Sequence, residues 1–234
     1  MTGEIKKPFS ADTSEGHVYF YEWFEPYESK FIVFNKPGLP QPYVLDADKL
    51  RRIVKRVQAV QSNWEIKFKN SENEMIRHLL FDSVKLAKGL IDEAYETIRL
   101  KSWTEDSANF IKYYSGTVVY TTTFNFDKNP DTVNFVELRL RELYNIATVK
   151  INGIDCGTLW TKPYFLDIKK AVKAGTNTIE IAVTNTWRNR LIGDELMPEK
   201  RTTWLNSPYK LSNKPLLPAG IVGPVEIFTQ WGGE

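Results

Sequence analysis

The sequence has few of the side chains on which metal sites and nucleophilic triads depend. Its 234 residues include one cysteine, Cys156, and two histidines, His17 and His78. A single cysteine excludes an internal disulfide. Two histidines on separate segments are a poor basis for a zinc site or a histidine-based triad. Because Cys156 falls within an apolar alternation, we expect a buried small hydrophobe rather than a nucleophile.

Long apolar runs and an excess of one charge are also absent. No stretch of about 18 apolar residues occurs, so the sequence predicts no membrane-spanning helix. The first residues carry charges with no apolar segment after them, unlike a signal peptide. The 31 basic residues balance 29 acidic ones, which favours neither nucleic acid nor a membrane as a partner. The polar start fits a piece of a longer protein.

Aromatic residues, in contrast, are abundant, with seven Trp, 11 Tyr and 13 Phe. Most are expected to fill a β core. Exposed ones would suit the faces of sugar rings, because an aromatic ring offers a flat apolar surface. With a hydrophobic content of 42%, the chain can bury a core of its own.

The organising segment is a predicted β-hairpin at residues 146–160. Asn152-Gly153 is the dipeptide that a type I′ turn favours. Folding the segment about this turn gives one apolar face and one mostly polar face, as a sandwich strand needs. The predicted cross-strand pairs are Ile151 with Ile154, Lys150 with Asp155, Val149 with Cys156, and Ala147 with Thr158.

Period-two alternation of apolar and polar residues, or aromatic and β-branched enrichment, marks the other strands. Turn signals separate these segments, and no helices alternate with them. The sequence therefore predicts a mainly β fold, an antiparallel β-sandwich of jelly-roll type. The predicted strands lie within residues 17–24, 29–34, 63–69, 117–126, 136–140, 178–184 and 224–229.

Two segments allow more than one interpretation. Residues 43–60 fit either a strand or a short helix. In residues 72–100 apolar side chains recur at three- and four-residue steps, which favours a helix, and an insertion with one or two short strands is the alternative. The proline-rich segment 37–42 predicts a domain boundary. The predicted parts are residues 1–36 (the end of a preceding β domain), 37–62 (a linker and entry strand) and 63–230 (the main domain).

The most distinctive polar run is TNTWRNRLIGD at residues 184–194. It opens a long segment, 187–217, that is predicted to be irregular, and loops of this length are commonly functional. In one interpretation its side chains tie the loop to the sandwich, with Asp194 pairing an arginine, because Asn and Asp often bond nearby backbone. In the other they contact a sugar or another domain. The candidate carbohydrate-binding residues are Trp187, Asn189, Arg190, Asp194, Trp204 and Tyr209.

No catalytic residue is predicted. Glycoside hydrolysis needs two carboxylates on opposite sides of the scissile bond, and Asp194 and Glu195 are adjacent in sequence. Residues 220–223 stand between prolines and open no helix, which argues against a phosphate loop. No cofactor is predicted. A structural calcium ion would suit carbonyl and carboxylate oxygens, but no EF-hand-like spacing supports one.

Several motifs in a fixed order carry a family resemblance over residues 63–229. They are WEIKF at 64–68, SWT at 102–104, IKYYSG at 111–116, VKING at 149–153, GTLW at 157–160, VTN at 183–185, NRLIGD at 189–194 and GIVGPV at 220–225. This order resembles the C-terminal sugar-binding-like domain of α-L-rhamnosidase-type enzymes, glycoside hydrolase family 106. It is also similar to the galactose-binding-like jelly roll of family 2 hydrolases. Residues 1–34 resemble less closely the end of the β domain that precedes it.

The resemblance implies a non-catalytic accessory domain from the C-terminus of a large glycoside hydrolase that acts on plant or bacterial polysaccharide. The implied partners are a catalytic barrel domain, which lies outside this chain, and a carbohydrate; neither nucleic acid nor a membrane is expected. Family members are exported, which implies a periplasmic or extracellular location. Two alternatives stay open at this point, an autonomous carbohydrate-binding module and a small glycoside hydrolase.

Overall fold

A computed structural model gives the coordinates of the chain. It describes residues 10–14, 17–21, 54–69, 74–77, 81–86, 95–203 and 210–231. The chain divides into two units, one of Met1–Val54 with Gly232–Glu234 and one of Lys55–Trp231, and each is described by itself. The domain limits predicted at residues 36 and 62 stay a prediction.

The described part of the first unit is an antiparallel strand pair. β1 (Ser10–Ser14) pairs with β2 (His17–Tyr21). The strand predicted at residues 17–24 is therefore present over its first five residues. Strand β1 has the sequence SADTS, whose lack of apolar alternation leaves no signal for a strand. The strand predicted at residues 29–34 lies outside the described residues.

The second unit contains two antiparallel sheets. Strands β13 and β8 form the centre of the first sheet and pair over their full length, from Gly175 opposite Phe126 to Thr184 opposite Thr117. The six strands of this sheet are, in order, β11 (Ile154–Leu159), β10 (Ile146–Ile151), β13 (Gly175–Thr184), β8 (Thr117–Phe126), β4 (Glu65–Lys69) and β5 (Glu74–Arg77).

The second sheet is built around the long pair β9 and β14. Its strands are, in order, β12 (Phe165–Asp167), β9 (Phe135–Tyr144), β14 (Gly220–Trp231), β7 (Tyr95–Leu100) and β6 (Phe81–Leu86), with β3 (Val54–Ala59) also paired to β14. Helical segments are few in the described part of the chain: α1 (Asn109–Lys112), α2 (Arg188–Leu196) and 3₁₀ turns at Trp103–Glu105, Pro130–Thr132 and Pro198–Lys200.

One core lies between the sheets, because both sheets direct every second side chain inward. Thr122, the one polar residue on the inward face of β8, donates its hydroxyl hydrogen to the carbonyl of Asn63 at 2.8 Å. The predicted mainly β sandwich is confirmed. The predicted inward residues that are buried include Trp64, Ile66, Phe68, Val118, Tyr120, Phe124, Phe126, Val136, Leu138, Leu140, Ile179, Ile181 and Val183.

An aromatic junction joins elements of both sheets. The indole nitrogen of Trp103 donates to the hydroxyl of Tyr120 at 2.5 Å, and the backbone N–H of Ile221 on β14 donates to the same oxygen at 3.4 Å. Phe68 meets Trp103 edge to face at 5.4 Å. Burial raises the pKa of Tyr120 far above its usual range, so the phenol stays protonated and can act as a donor. Gly220, with a φ of 90°, lies against this junction.

The central hairpin turns at Asn152-Gly153 as predicted, with φ values of 53° and 80°. Its predicted pairs nearest the turn, Lys150 with Asp155 and Ile151 with Ile154, are confirmed. The side chain of Asn152 holds the turn onto the neighbouring strand, because its Oδ1 accepts the N–H of Thr178 at 3.0 Å.

The two hairpin pairs further from the turn were predicted wrongly. The strand register shifts between Val149 and Lys150, so Val149 lies opposite Gly157, and Ala147 lies opposite Leu159. The extra residue lies in β11 and leaves the apolar alternation of β10 unchanged, so the alternation of β10 gives no sign of the bulge. Cys156 is consequently half-buried against the core rather than fully inside it, and burial raises the pKa of its thiol.

The described parts of residues 72–100 are the strands β5, β6 and β7, so these parts are not helical, and they are three strands rather than the one or two of the alternative prediction. The rest of the segment lies outside the described residues. Strands β6 and β7 pair antiparallel, with Phe81 opposite Leu100 and Leu86 opposite Tyr95. Two short period-two runs joined by a turn can also place apolar residues three or four positions apart, and this spacing mimics a helix. Within residues 43–60, the described residues 54–59 form a strand.

Candidate functional site

The long segment after β13 begins with a helix, so the prediction of irregular structure from the start of that segment was wrong. One face of α2 is buried through Asn189, Ile192, Gly193 and Asp194. A Cβ on Gly193 would lie 2.7 Å from the Cβ of Tyr113, so glycine permits this close packing. The helix escaped detection because the buried face is largely polar and carries little apolar periodicity.

Two asparagines fix the position of this segment: Asn185 bonds the residues before β8, and Asn189 joins the start of the segment to its end. Asn185 accepts the backbone N–H of Gly116 at 3.0 Å and donates to the carbonyl of Tyr114 at 2.9 Å. Asn189 accepts the N–H of Leu217 at 2.9 Å and donates to its carbonyl at 2.7 Å. Each side-chain amide thereby bonds a backbone N–H and a backbone carbonyl, as a neighbouring strand would. Asn189 is buried, and both polar atoms of its amide have a hydrogen-bond partner within the chain.

Asp194 is the most heavily bonded residue of the run. Its carboxylate is only 3% exposed. It pairs with the guanidinium of Arg190 one turn earlier, with an Nε–Oδ1 distance of 2.8 Å. It also accepts the N–H of Thr203 at 2.8 Å, the hydroxyl of Thr203, and the N–H of Thr202 at 3.3 Å. Burial acts to raise the pKa of Asp194, but the bonds from Arg190, Thr203 and Thr202 outweigh it and hold the pKa below 3.8.

Glu195 bonds the same loop at a later point. Its carboxylate accepts the backbone N–H groups of Leu211 at 2.9 Å and of Ser212 at 2.8 Å. The bond from Ser212 is the main reason that the pKa of Glu195 lies below its usual value. Asp194 and Glu195, whose adjacency in the sequence argues against a catalytic pair, are thus adjacent anchors for two separate parts of the loop.

Residues 204–209 lie between the two anchored points, Thr203 and Leu211. Trp204 and Tyr209, two of the candidate carbohydrate-binding residues, therefore lie outside the described residues, and their role stays a prediction. Of the other candidates, Asn189 and Asp194 are buried and Arg190 is 16% exposed on its side chain. The pairing of Asp194 with an arginine agrees with the interpretation that the polar run ties the loop to the sandwich.

Trp187 is the candidate that faces solvent. It lies just before α2, and 65% of its surface is exposed. A second exposed tryptophan, Trp160 at 57%, follows β11, close in the strand register to Ile146, which is also exposed. Trp160 was not among the candidate residues predicted from the sequence. The sequence signal for its exposure was its position directly after Leu159, the last inward residue of β11.

Two further findings on the described residues concern metal ions and membranes. Among the residues that the structure describes, no group of three or more His, Cys, Asp and Glu side chains could hold a metal ion. None of the described helices is long and apolar enough to cross a membrane. The expectation that no cofactor is needed stays a prediction.

Comparison with known proteins gives the chain a context. The model of a family described as glycosyl hydrolase 2 galactose-binding domain-like matches residues 86–213. A protein of Formosa agariphila, provisionally named as a β-glucuronidase, is 30% identical over 240 residues, which is 88% of this chain and 18% of that protein.

Solved structures show the same relation. The rhamnosidase from Novosphingobium sp. PP1Y matches 95% of this chain and 19% of its own, with a TM-score of 0.74 and 30% identity. A β-glucuronidase from Ruminococcus gnavus matches 75% of this chain and 28% of its own, with a TM-score of 0.48 and 16% identity. The chain spans about a fifth of the length of the Formosa and Novosphingobium proteins.

Proposed function

Because the chain belongs to the glycosyl hydrolase 2 galactose-binding-like family, we propose that it is a non-catalytic accessory domain of a larger glycoside hydrolase. The observation that carries this proposal is the partial match: two relatives at 30% identity match 88% and 95% of this chain over less than a fifth of their own length. In this proposal the partner is a catalytic barrel domain, and the ligand of the whole enzyme is a carbohydrate.

The chemistry of the loop acids supports a non-catalytic role. A glycosidase needs one carboxyl group that keeps its proton near neutral pH, which requires a raised pKa. Asp194 and Glu195 have lowered pKa values, and their carboxylate oxygens accept hydrogen bonds from backbone N–H groups, a guanidinium and a hydroxyl. Both carboxylates are therefore ionised and hydrogen-bonded at neutral pH, as side chains that anchor a loop would be.

The parent enzyme is, in this proposal, of the α-L-rhamnosidase type, glycoside hydrolase family 106. Support comes from the order of motifs over residues 63–229 and from the 95% coverage of this chain by the Novosphingobium rhamnosidase. An exported parent, periplasmic or extracellular, completes the proposal, because a polysaccharide substrate lies outside the cell.

Trp187 is the proposed point of contact with a sugar. An indole that is 65% exposed offers a flat apolar face to a pyranose ring. It is also held in place, because α2 begins at the next residue and is bonded through Asn189 to Leu217 and through Asp194 to Thr203. If the isolated chain binds oligosaccharides by itself through this exposed indole, that result favours the alternative of an autonomous carbohydrate-binding module.

The contact is tested by Trp187→Ala, with titration calorimetry against plant-derived oligosaccharides. Losing one aromatic–sugar contact is expected to weaken binding by about tenfold. Trp160→Ala is the matched control, since it removes an indole of similar exposure that follows β11 rather than preceding α2, and it should leave the affinity unchanged. Equal affinities for the two variants and the unaltered chain would refute the role of Trp187.

A further inference from the structure

A cleft of about 490 Å³ lies at the other end of the sandwich from α2. Strand β8 begins at the α2 end of the sheet, where Thr117 is opposite Thr184, and the cleft adjoins the far end of β8. Its volume falls in the range of small-molecule sites. Residues that line it include Arg56, Gln58, Gln61, Ser62, Phe124 and Asn125.

Two hydrogen bonds fix the walls of this cleft, one between the two sheets and one between β3 and its neighbour β14. The amide nitrogen of Gln58 on β3 donates to the carbonyl of Asn125 on β8 at 2.9 Å. The backbone N–H of Val60, which follows β3, donates to the carbonyl of Val225 on β14 at 2.9 Å. The cleft is thus a built feature of the fold, with β3 as one wall, rather than a gap between loose segments.

The lining is polar but carries no net charge. Arg56 is the one charged residue among the lining residues, and its Nη1 lies 2.6 Å from Oδ2 of Asp127. The hydrogen bond from Arg56 lowers the pKa of Asp127, so the pair remains ionised and mutually neutralised at neutral pH. Such a surface offers hydrogen-bond donors and acceptors without a preference for an anion.

The aromatic residue at the cleft cannot serve as a stacking platform. Phe124 is 4% exposed, because its ring belongs to the core. A ligand of this cleft must therefore be recognised through hydrogen bonds by amide, hydroxyl and guanidinium groups. Hydroxyl-rich, uncharged molecules fit this chemistry best, because each hydroxyl both donates and accepts.

We propose that this cleft binds one or two residues of a neutral saccharide, as a second contact point separate from Trp187. The proposal rests on the proposed carbohydrate context and adds a site, a ligand charge and a mode of recognition to it. A small ligand held by hydrogen bonds in a shallow cleft is expected to have a dissociation constant in the millimolar range.

The test is a titration of the ¹⁵N-labelled chain with galactose and with rhamnose, followed by ¹H–¹⁵N correlation spectra. Saturable shifts are expected at the backbone amides of Gln61, Ser62 and Asn125 and at the side-chain amide of Gln58. The shifts should persist in Trp187→Ala and should not respond to added salt. Glucuronate should bind no more tightly than the neutral sugars, because the cleft has no unpaired positive charge.

Two variants check that the cleft itself is responsible. Ser62→Ala removes a hydroxyl and Gln58→Met removes an amide at similar volume, and each should weaken binding at least severalfold. The dispersed spectrum of each variant reports whether it is folded. A folded chain without saturable shifts at the cleft, or shifts unchanged in both variants, would overturn this inference. Binding confined to Trp187 would overturn it too and would leave the proposed accessory function intact.

Discussion

Gly220→Ala is expected to lower the free energy of unfolding by about 4 kcal/mol, because it adds both backbone strain and overlap in a closed core. The φ of Gly220 is 90°, in the region that favours glycine. An added Cβ would overlap the indole nitrogen of Trp103 and lie 2.5 Å from the hydroxyl of Tyr120. Neither ring can withdraw, since both are buried and hydrogen-bonded to each other.

The matched control for this change is Gly153→Ala. Gly153 has a φ of 80°, but nothing lies within 4 Å of its Cβ position, so this variant reports the backbone cost alone, about 1 kcal/mol. Urea unfolding followed by tryptophan fluorescence measures both. If the two substitutions cost the same, the aromatic junction is not packed as described.

Asp194→Asn is expected to cost about 3 kcal/mol, because it breaks a buried ion pair and leaves Arg190 without its anion. The carboxylate is 3% exposed and holds Thr202 and Thr203 as well. Chemical unfolding of the purified variant is the measurement. Glu199→Gln, an exposed acid close to the same helix, is the control and should change stability by less than about 0.5 kcal/mol.

The difference between the unaltered chain and Asp194→Asn should depend on pH. The folded-state pKa of Asp194 is lowered below 3.8. Its contribution is therefore fully present above pH 3.8 and is lost as the pH falls through the lower folded-state value. The Asp194→Asn variant lacks this pH dependence, so the free energies of unfolding of the two proteins should converge at acid pH. A constant difference down to the lowest pH would contradict the role of the carboxylate.

The strands of the sandwich could be predicted because each has one buried and one exposed face. Along β8, Val118 and Tyr120 alternate with exposed or half-exposed neighbours, and the same holds for Ile179 and Ile181 on β13. The turn at Asn152 could be predicted because its chemistry is local: few residue pairs accept two positive φ values in succession.

The features that were missed depend on contacts between distant parts of the chain. The bulge opposite Val149 adds a residue to β11 and leaves the alternation of β10 unchanged. Helix α2 is stabilised by a buried polar face that bonds Thr203 and Leu217, and no periodicity rule scores such a face. Strands β6 and β7 are short and pair antiparallel, and the apolar residues in this part of the sequence recur at helical spacing.

The candidate site was predicted as a set of residues, but the sequence could not separate anchors from exposed groups. Asn189, Asp194 and Trp187 are neighbours in sequence, yet the first two are buried and the third is exposed. Their exposure depends on which side of α2 meets the sandwich, and that in turn depends on the approach of Gly193 to Tyr113. Only the three-dimensional structure supplies this information.

The claim that this sandwich is an accessory domain is tested most directly by assaying the purified chain for glycoside cleavage. Nitrophenyl α-L-rhamnoside, β-D-galactoside and β-D-glucuronide are suitable substrates, and nitrophenolate release is followed by absorbance. The account predicts no release above the rate in buffer for any of the three. Turnover that disappears in Asp194→Asn or Glu195→Gln would contradict it, because those carboxylates would then be catalytic groups rather than anchors.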